Sequence, residues 1–223
     1  MSSKSPSPPR RRLPLLATAP AAAAVPGERA DAARNRAAIL AAARRLLATR
    51  PMRDIAMDDL AREASVGKGT LYRRFTDRTS LCLALLDENE RELQERVLGH
   101  FGLPEATPVG ERLGVLLDAL LAFALANAEL LREAEASDRA GLLDTAVYRW
   151  RRVAIVRLAE RARAEGLPCP VEAELAADVL LVFFGGEPLA RAQRRAGTPS
   201  VLREQLFALA GALFPFVVAP PTG

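Results

Sequence analysis

Histidine, cysteine and aromatic side chains are scarce in this chain: one His, two Cys, and Phe, Trp and Tyr together at 5% of 223 residues. A lone His100, with Cys82 and Cys169 far apart, offers no cluster of transition-metal spacing and no paired nucleophile and base. No metal, cofactor or catalytic residue is therefore assigned, and the chain reads as a non-enzyme. Two cysteines without a CxxC spacing suit a reduced, cytoplasmic protein, with Cys82 as a packing residue. No run of 18 or more apolar, uncharged residues appears, so no membrane partner is expected. Strand-like alternation is missing as well. Alanine and leucine dominate a half-apolar composition, which favours helices.

The formal net charge is +4, but it is unevenly spread. Residues 1–80 carry 16 Lys and Arg against 7 Asp and Glu, whereas residues 81–223 carry 15 against 20. One end is suited to a polyanion and the other is not. Residues 1–27 place Arg10, Arg11 and Arg12 before a mildly apolar stretch, the outline of a twin-arginine export signal. Pro14, Pro20 and Pro26 interrupt any helix there, and a disordered Pro/Ala/Arg tail is the reading adopted.

Helical periodicity then runs from Asp31 to Arg50, with Ile39, Leu40, Ala43, Leu46 and Leu47 on one side. A short helix over Asp58–Ala64, a tight turn, a third helix over Lys68–Phe75 and a fourth from Asp77 to Leu98 follow. Gly99 to Gly110 reads as a loop. Further helices are expected over Glu111–Ala126, Ala128–Ala136, Asp144–Glu165 and Val171–Gly185. Gly166 is expected as a left-handed cap. A last helix reaches Phe214, with Thr198 as N-cap and Pro199 as its first residue.

The most informative stretch is Met57 to Phe75. Leu60 and Ala64 are four apart, Val66 follows at the turn, and Leu71 and Phe75 are again four apart. Two short helices can thus share one small core while crossing steeply, with Ala61 permitting close approach. Lys68, Thr70, Tyr72, Arg73 and Arg74 are left on the outside of the third helix, which fits a B-DNA major groove.

Ile39-Leu40 with Ala42-Ala43, then Leu60-Ala61, Ala64, Val66, and Gly69-Thr-Leu-Tyr with Phe75, closely resemble the TetR-like family of one-component transcriptional regulators. The resemblance implies that Lys68 and Gly69 touch base edges, that Thr70 and Tyr72 bond phosphates, and that Arg74 lies near backbone or bases. It also implies a phosphate contact for Arg78 at the start of the fourth helix. Two departures stand out. Ala56 replaces the usual Ser or Thr cap of the second helix, with Asp58 and Asp59 as partial compensation on the helix dipole. Ser65 stands where the family usually has glycine.

The expected fold is all-α. An N-terminal three-helix helix-turn-helix head (28–78) joins through a fourth helix to a helical body (79–216), with tails at 1–27 and 217–223. The Val171 helix shows apolar residues on two sides, Leu175, Val179 and Val182 against Ala176, Leu180 and Phe183. The last helix has Leu202, Leu206, Leu209 and Leu213 on one face, with Phe207, Ala208 and Phe214 turned elsewhere. Two apolar sides need two covers, so a second copy is expected at a seam including Val179, Phe183, Leu206 and Leu209. The resemblance implies the same homodimer. A homodimer would read a palindromic double-stranded operator. Phe123, Tyr148, Trp150 and Phe184 are candidate walls of an effector pocket, with Arg152 or Glu133 as polar anchors. The effector implied is a small, apolar molecule, in the family one whose binding moves the fourth helix and releases the operator. The alternative, a helical enzyme or exported binding protein, needs convergent polar groups in the body, and the sequence has none.

Overall fold

The computed structural model describes residues 26–101, 107–143 and 146–220, which form ten α-helices and one 3₁₀ turn with no strand among them. In the head these are α1 (Pro26–Leu47), the 3₁₀ turn (Met52–Asp54), α2 (Met57–Glu63) and α3 (Lys68–Arg74). Helix α4 (Arg78–Phe101) leads into the body: α5 (Val109–Ala126), α6 (Ala128–Leu143), α7 (Ala146–Ala164), α8 (Ala173–Val182), α9 (Gly186–Ala196) and α10 (Pro199–Leu213).

The head closes on the residues that the periodicity selects. Ile39, Leu40, Ala42 and Ala43 of α1 are buried against Leu60, Ala61, Leu71 and Phe75. The Arg36 guanidinium lies 5.8 Å from the centre of the Phe75 ring, covering the edge of that core. Helix α1 begins at Pro26, inside the segment expected as a tail; the arginines at 10–12 lie outside the described residues.

Cap chemistry sets several boundaries. Gly166 has φ of 79°, and Leu167 N–H reaches the Ala162 carbonyl at 2.9 Å, closing α7 as a Schellman turn. The Thr198 hydroxyl accepts from Val201 N–H, and Pro199 opens α10. Helix α9 is an element the sequence reading did not anticipate. Gly185-Gly186 and Pro188 look like a break, but Pro188 sits in the first turn, where no N–H is required. The Glu135 carboxylate of α6 accepts from Gly186 N–H at 2.6 Å and from Glu187 N–H at 3.3 Å, supplying the missing cap.

Two expectations need correction at the C-terminus. Gly110 is not in a loop but within α5, and the chain as far as Pro220 is docked rather than a free tail. Val218 N–H donates to the Gly110 carbonyl at 3.1 Å, and Arg203 donates to the Pro220 carbonyl at 2.6 Å while making a two-pronged pair with Asp118. A Cβ at Gly110 or Gly114 would lie 1.9 Å from the Phe216 or Val218 carbonyl oxygen. Gly110, Gly114 and Asp118 are spaced by four, so they form one stripe along α5 on which the tail lies.

An ion pair is buried within the body. Arg151 of α7 and Glu90 of α4 meet in a two-pronged pair, with Nε–Oε1 at 3.1 Å, and the guanidinium lies 4.7 Å from the Phe123 ring centre. Cys82, fully enclosed, has its thiol pushed up to about 12 by burial, so at neutral pH it is an inert packing group.

Candidate nucleic-acid interface

Helix α2 starts without a side-chain cap at Ala56, and its first turn carries Asp58 and Asp59 instead. Asp59 receives Arg50 at 3.0 Å and Arg62 at 2.7 Å, and the hydrogen bond from Arg50 is the main reason its carboxyl is held below the usual range. The α2–α3 turn passes through Ser65 at φ 55°, the left-handed conformation that glycine adopts freely. Serine there costs about 1 kcal/mol. Val66 N–H to the Ala61 carbonyl at 3.0 Å holds the turn in place.

Helix α3 buries only Leu71 of its seven residues. Lys68, Gly69, Tyr72, Arg73 and Arg74 are exposed and Thr70 is half-buried, so the structure gathers the six expected α3 residues on one short helix. Tyr72, 46% exposed, is a large aromatic ring left to solvent between cations. A Cβ on Gly69 would meet nothing within 4 Å, so nothing in the fold requires glycine there. Glycine in a helix costs roughly 0.5–1 kcal/mol relative to alanine. Lys68 is paired with Asp58 at 2.6 Å, and this hydrogen bond raises the ammonium above its usual range.

Arg78 is placed differently from its expected phosphate-facing position. It is about one-third exposed and turns toward the body. Its Nη2 donates to the Ile55 carbonyl at 3.4 Å, and Nη1 lies 3.9 Å from Glu133 of α6. Its Nε is buried without a hydrogen-bond partner, the one such side-chain atom among the described residues.

The head–body junction is polar. Arg44 of α1 bonds Asn89 of α4 at 3.1 Å, Asn89 bonds Asn127 at 2.6 Å, and Asn127 bonds the Phe123 carbonyl at 2.8 Å. Glu129 of α6 accepts from Met52 N–H in the head. Apart from the local Asn127–Phe123 bond, these contacts span 38 to 77 residues, and sequence spacing could not have found them. The one local signal is that Glu129 and Glu133 are four apart, on one face of a helix following a basic head.

The expected body residues divide. Phe123 and Phe184 are 5% and 2% exposed, closed into the core rather than facing an open space. Tyr148 and Trp150 are half-buried on α7, and the Tyr148 hydroxyl bonds Asp178 at 3.2 Å. Of the two expected polar anchors, Arg152 shares Asp178 with Tyr148 and also bonds Glu174 of α8, whereas Glu133 faces Arg78 instead. Of the expected seam, Val179 is exposed, as are the apolar Leu175, Val182 and Val201, while Phe183 and Leu209 are half-buried. Leu206 is fully buried by its own chain, because its face of α10 covers the body core, and so it is no seam residue.

Comparison with known proteins agrees with this architecture. Residues 39–85 match the family described as "Bacterial regulatory proteins, tetR family". An HTH-type transcriptional regulator of Staphylococcus aureus (strain USA300) is 34% identical over 112 residues, 49% of this chain and 58% of the relative. The chain thus spans little more than half the length of that curated relative. Among solved structures, a putative TetR-family transcriptional regulator from Rhodococcus sp. superposes with a TM-score of 0.60 at 22% identity, covering 80% of this chain and 98% of that one. AibR, in complex with isovaleryl coenzyme A and operator DNA, superposes with a TM-score of 0.54 at 20% identity, covering 82% and 98%. Residues 39–85 are thus a tetR-family head, and the fold along most of the chain's length is the one that TetR-family structures share.

Proposed function

We propose that this chain is a sequence-specific DNA-binding transcriptional regulator, cytoplasmic and homodimeric, acting as a repressor that a small molecule releases from a palindromic operator. The observation that carries the DNA reading is α3 itself. It is a seven-residue helix with one buried side chain, three exposed cations, an exposed tyrosine and a glycine that the fold does not need. In this reading Lys68 and Gly69 approach base edges, and Thr70, Tyr72, Arg73 and Arg74 serve phosphates and the groove rim. Lys68→Ala and Tyr72→Phe are expected to weaken binding to the DNA upstream of the gene by about five- to tenfold each, with unchanged circular dichroism. A gel shift checks this, and undiminished affinity in both variants contradicts it.

The dimer reading rests on the exposed apolar residues of α8 and α10: Leu175, Val179, Val182 and Val201. Leu175, Val179 and Val182 are spaced four and three apart, so they form a continuous stripe. Val179→Asp is expected to convert the dimer to monomer in light scattering and to lower operator affinity at least tenfold, since two heads then bind independently. A variant that remains dimeric removes α8 from the interface.

AibR's bound isovaleryl coenzyme A and operator DNA support the effector reading by analogy of fold. Here Tyr148 and Trp150, half-buried on α7, are the surviving wall candidates, and a ligand reaching Phe123 and Phe184 must first open the core that encloses them.

A further inference from the structure

We propose that Glu133 is a regulatory positioning residue: it competes with DNA phosphate for Arg78, so that the body sets the affinity of the head by offering or withdrawing one carboxylate. The inference rests on the DNA-binding reading above and adds to it the group through which the body acts.

Arg78 opens α4, directly after the α3–α4 connection, at the point where the head's basic surface meets the body. A guanidinium has five N–H donors. Here its contacts are all long: 3.4 Å to the Ile55 carbonyl and 3.9 Å to Glu133, with Nε buried and unmatched. An arginine in its final position beside a carboxylate makes short, often two-pronged bonds, as Arg151 does with Glu90 and Arg203 with Asp118 in this same chain. Arg78 is therefore held between partners and satisfied by neither. A phosphate oxygen offers it the charge-assisted bond that it lacks.

Glu133 lies on the helix through which the body touches the head. One turn earlier on α6, Glu129 accepts from Met52 N–H in the head, and two residues later Glu135 caps α9. Helix α6 also packs along α4. A shift of α6 toward the head shortens the Glu133–Arg78 gap and draws the cation away from phosphate; a shift away releases it. Other carboxylates near this point are Glu129, engaged by Met52 N–H, and Asp77, engaged by Ser80. Neither makes an ion pair with Arg78 among the described residues.

The test is a double-mutant cycle on the full chain, read by fluorescence anisotropy with a labelled random-sequence duplex, because a phosphate contact is independent of sequence. Glu133→Gln should tighten binding about two- to fivefold, and Arg78→Gln should flatten the dependence of log Kd on log salt by about one unit. In the Arg78→Gln background, Glu133→Gln should have no effect. Glu133→Asp keeps the charge but withdraws it by one methylene, so it should also tighten binding, whereas exposed Glu92→Gln should leave affinity nearly unchanged. Equal tightening by Glu133→Gln with and without Arg78 would mean a general charge effect and would overturn the proposal, as would no tightening in either background. A wild-type chain that fails to bind the duplex at all overturns the DNA-binding reading itself, a result distinct from wild-type binding with an additive cycle.

Discussion

Glu90→Ala is expected to destabilise the folded chain by about 3–5 kcal/mol, seen as a fall in Tm of roughly 10 °C. Glu90 is 1% exposed and Arg151 7%, and together they join α4 to α7 in the body core. Removing the carboxylate leaves a guanidinium buried with only the Phe123 ring beneath it, and a ring face does not replace a counter-ion. The cost comes from that stranded charge and not from the intrinsic strength of the pair. The double replacement Glu90→Leu with Arg151→Met is therefore expected to recover most of the loss, since a well-packed apolar pair often matches a buried ion pair. Thermal melts of the three proteins check this. A single variant within 1 kcal/mol of wild type would mean that Arg151 reaches water without Glu90.

The second large effect is one of sign. In an exposed helix interior Gly→Ala stabilises by roughly 0.5–1 kcal/mol. Gly114→Ala is expected to do the opposite and lower stability by about 1–3 kcal/mol, because its methyl group would occupy space held by backbone. The added Cβ would lie 1.9 Å from the Val218 carbonyl oxygen, 3.0 Å from that carbonyl carbon and 3.1 Å from Pro220 Cδ. The tail must lift from α5 and lose the Val218–Gly110 bond, and the Arg203–Pro220 bond with it. In a chain truncated after Phe214 the same substitution should turn stabilising. Denaturant unfolding of the four proteins reads the sign directly, and stabilisation in the full-length chain would show the tail to be undocked.

The head was legible because its information is local. Leu60, Ala61, Leu71 and Phe75 declare a core by spacing alone, and Ser65 and Ala56 fall at the turn and cap where their costs were expected. The structure departs where one segment depends on another distant in sequence. Gly110 reads as the end of a loop until the tail is seen lying on it and on Gly114. Helix α9 has Gly-Gly and Pro at its start and is capped by Glu135, 51 residues before Gly186. Leu206 and Val179 look alike in sequence, yet one covers the body core and the other faces solvent. The resemblance implies a phosphate contact for Arg78, but its direction depends on Ile55 and Glu133, which spacing does not reveal. Periodicity identifies an apolar face; only the packing decides what covers it.

The central claim is that α3 reads a specific DNA sequence, presented twice by a two-fold symmetric protein. Selection from a random duplex library by the full-length chain tests it most directly. Enrichment of an inverted repeat, lost when Lys68→Ala and Tyr72→Phe are combined, is the predicted result. Recovery of an unenriched pool would contradict it, as would the same enrichment with the α3 variant.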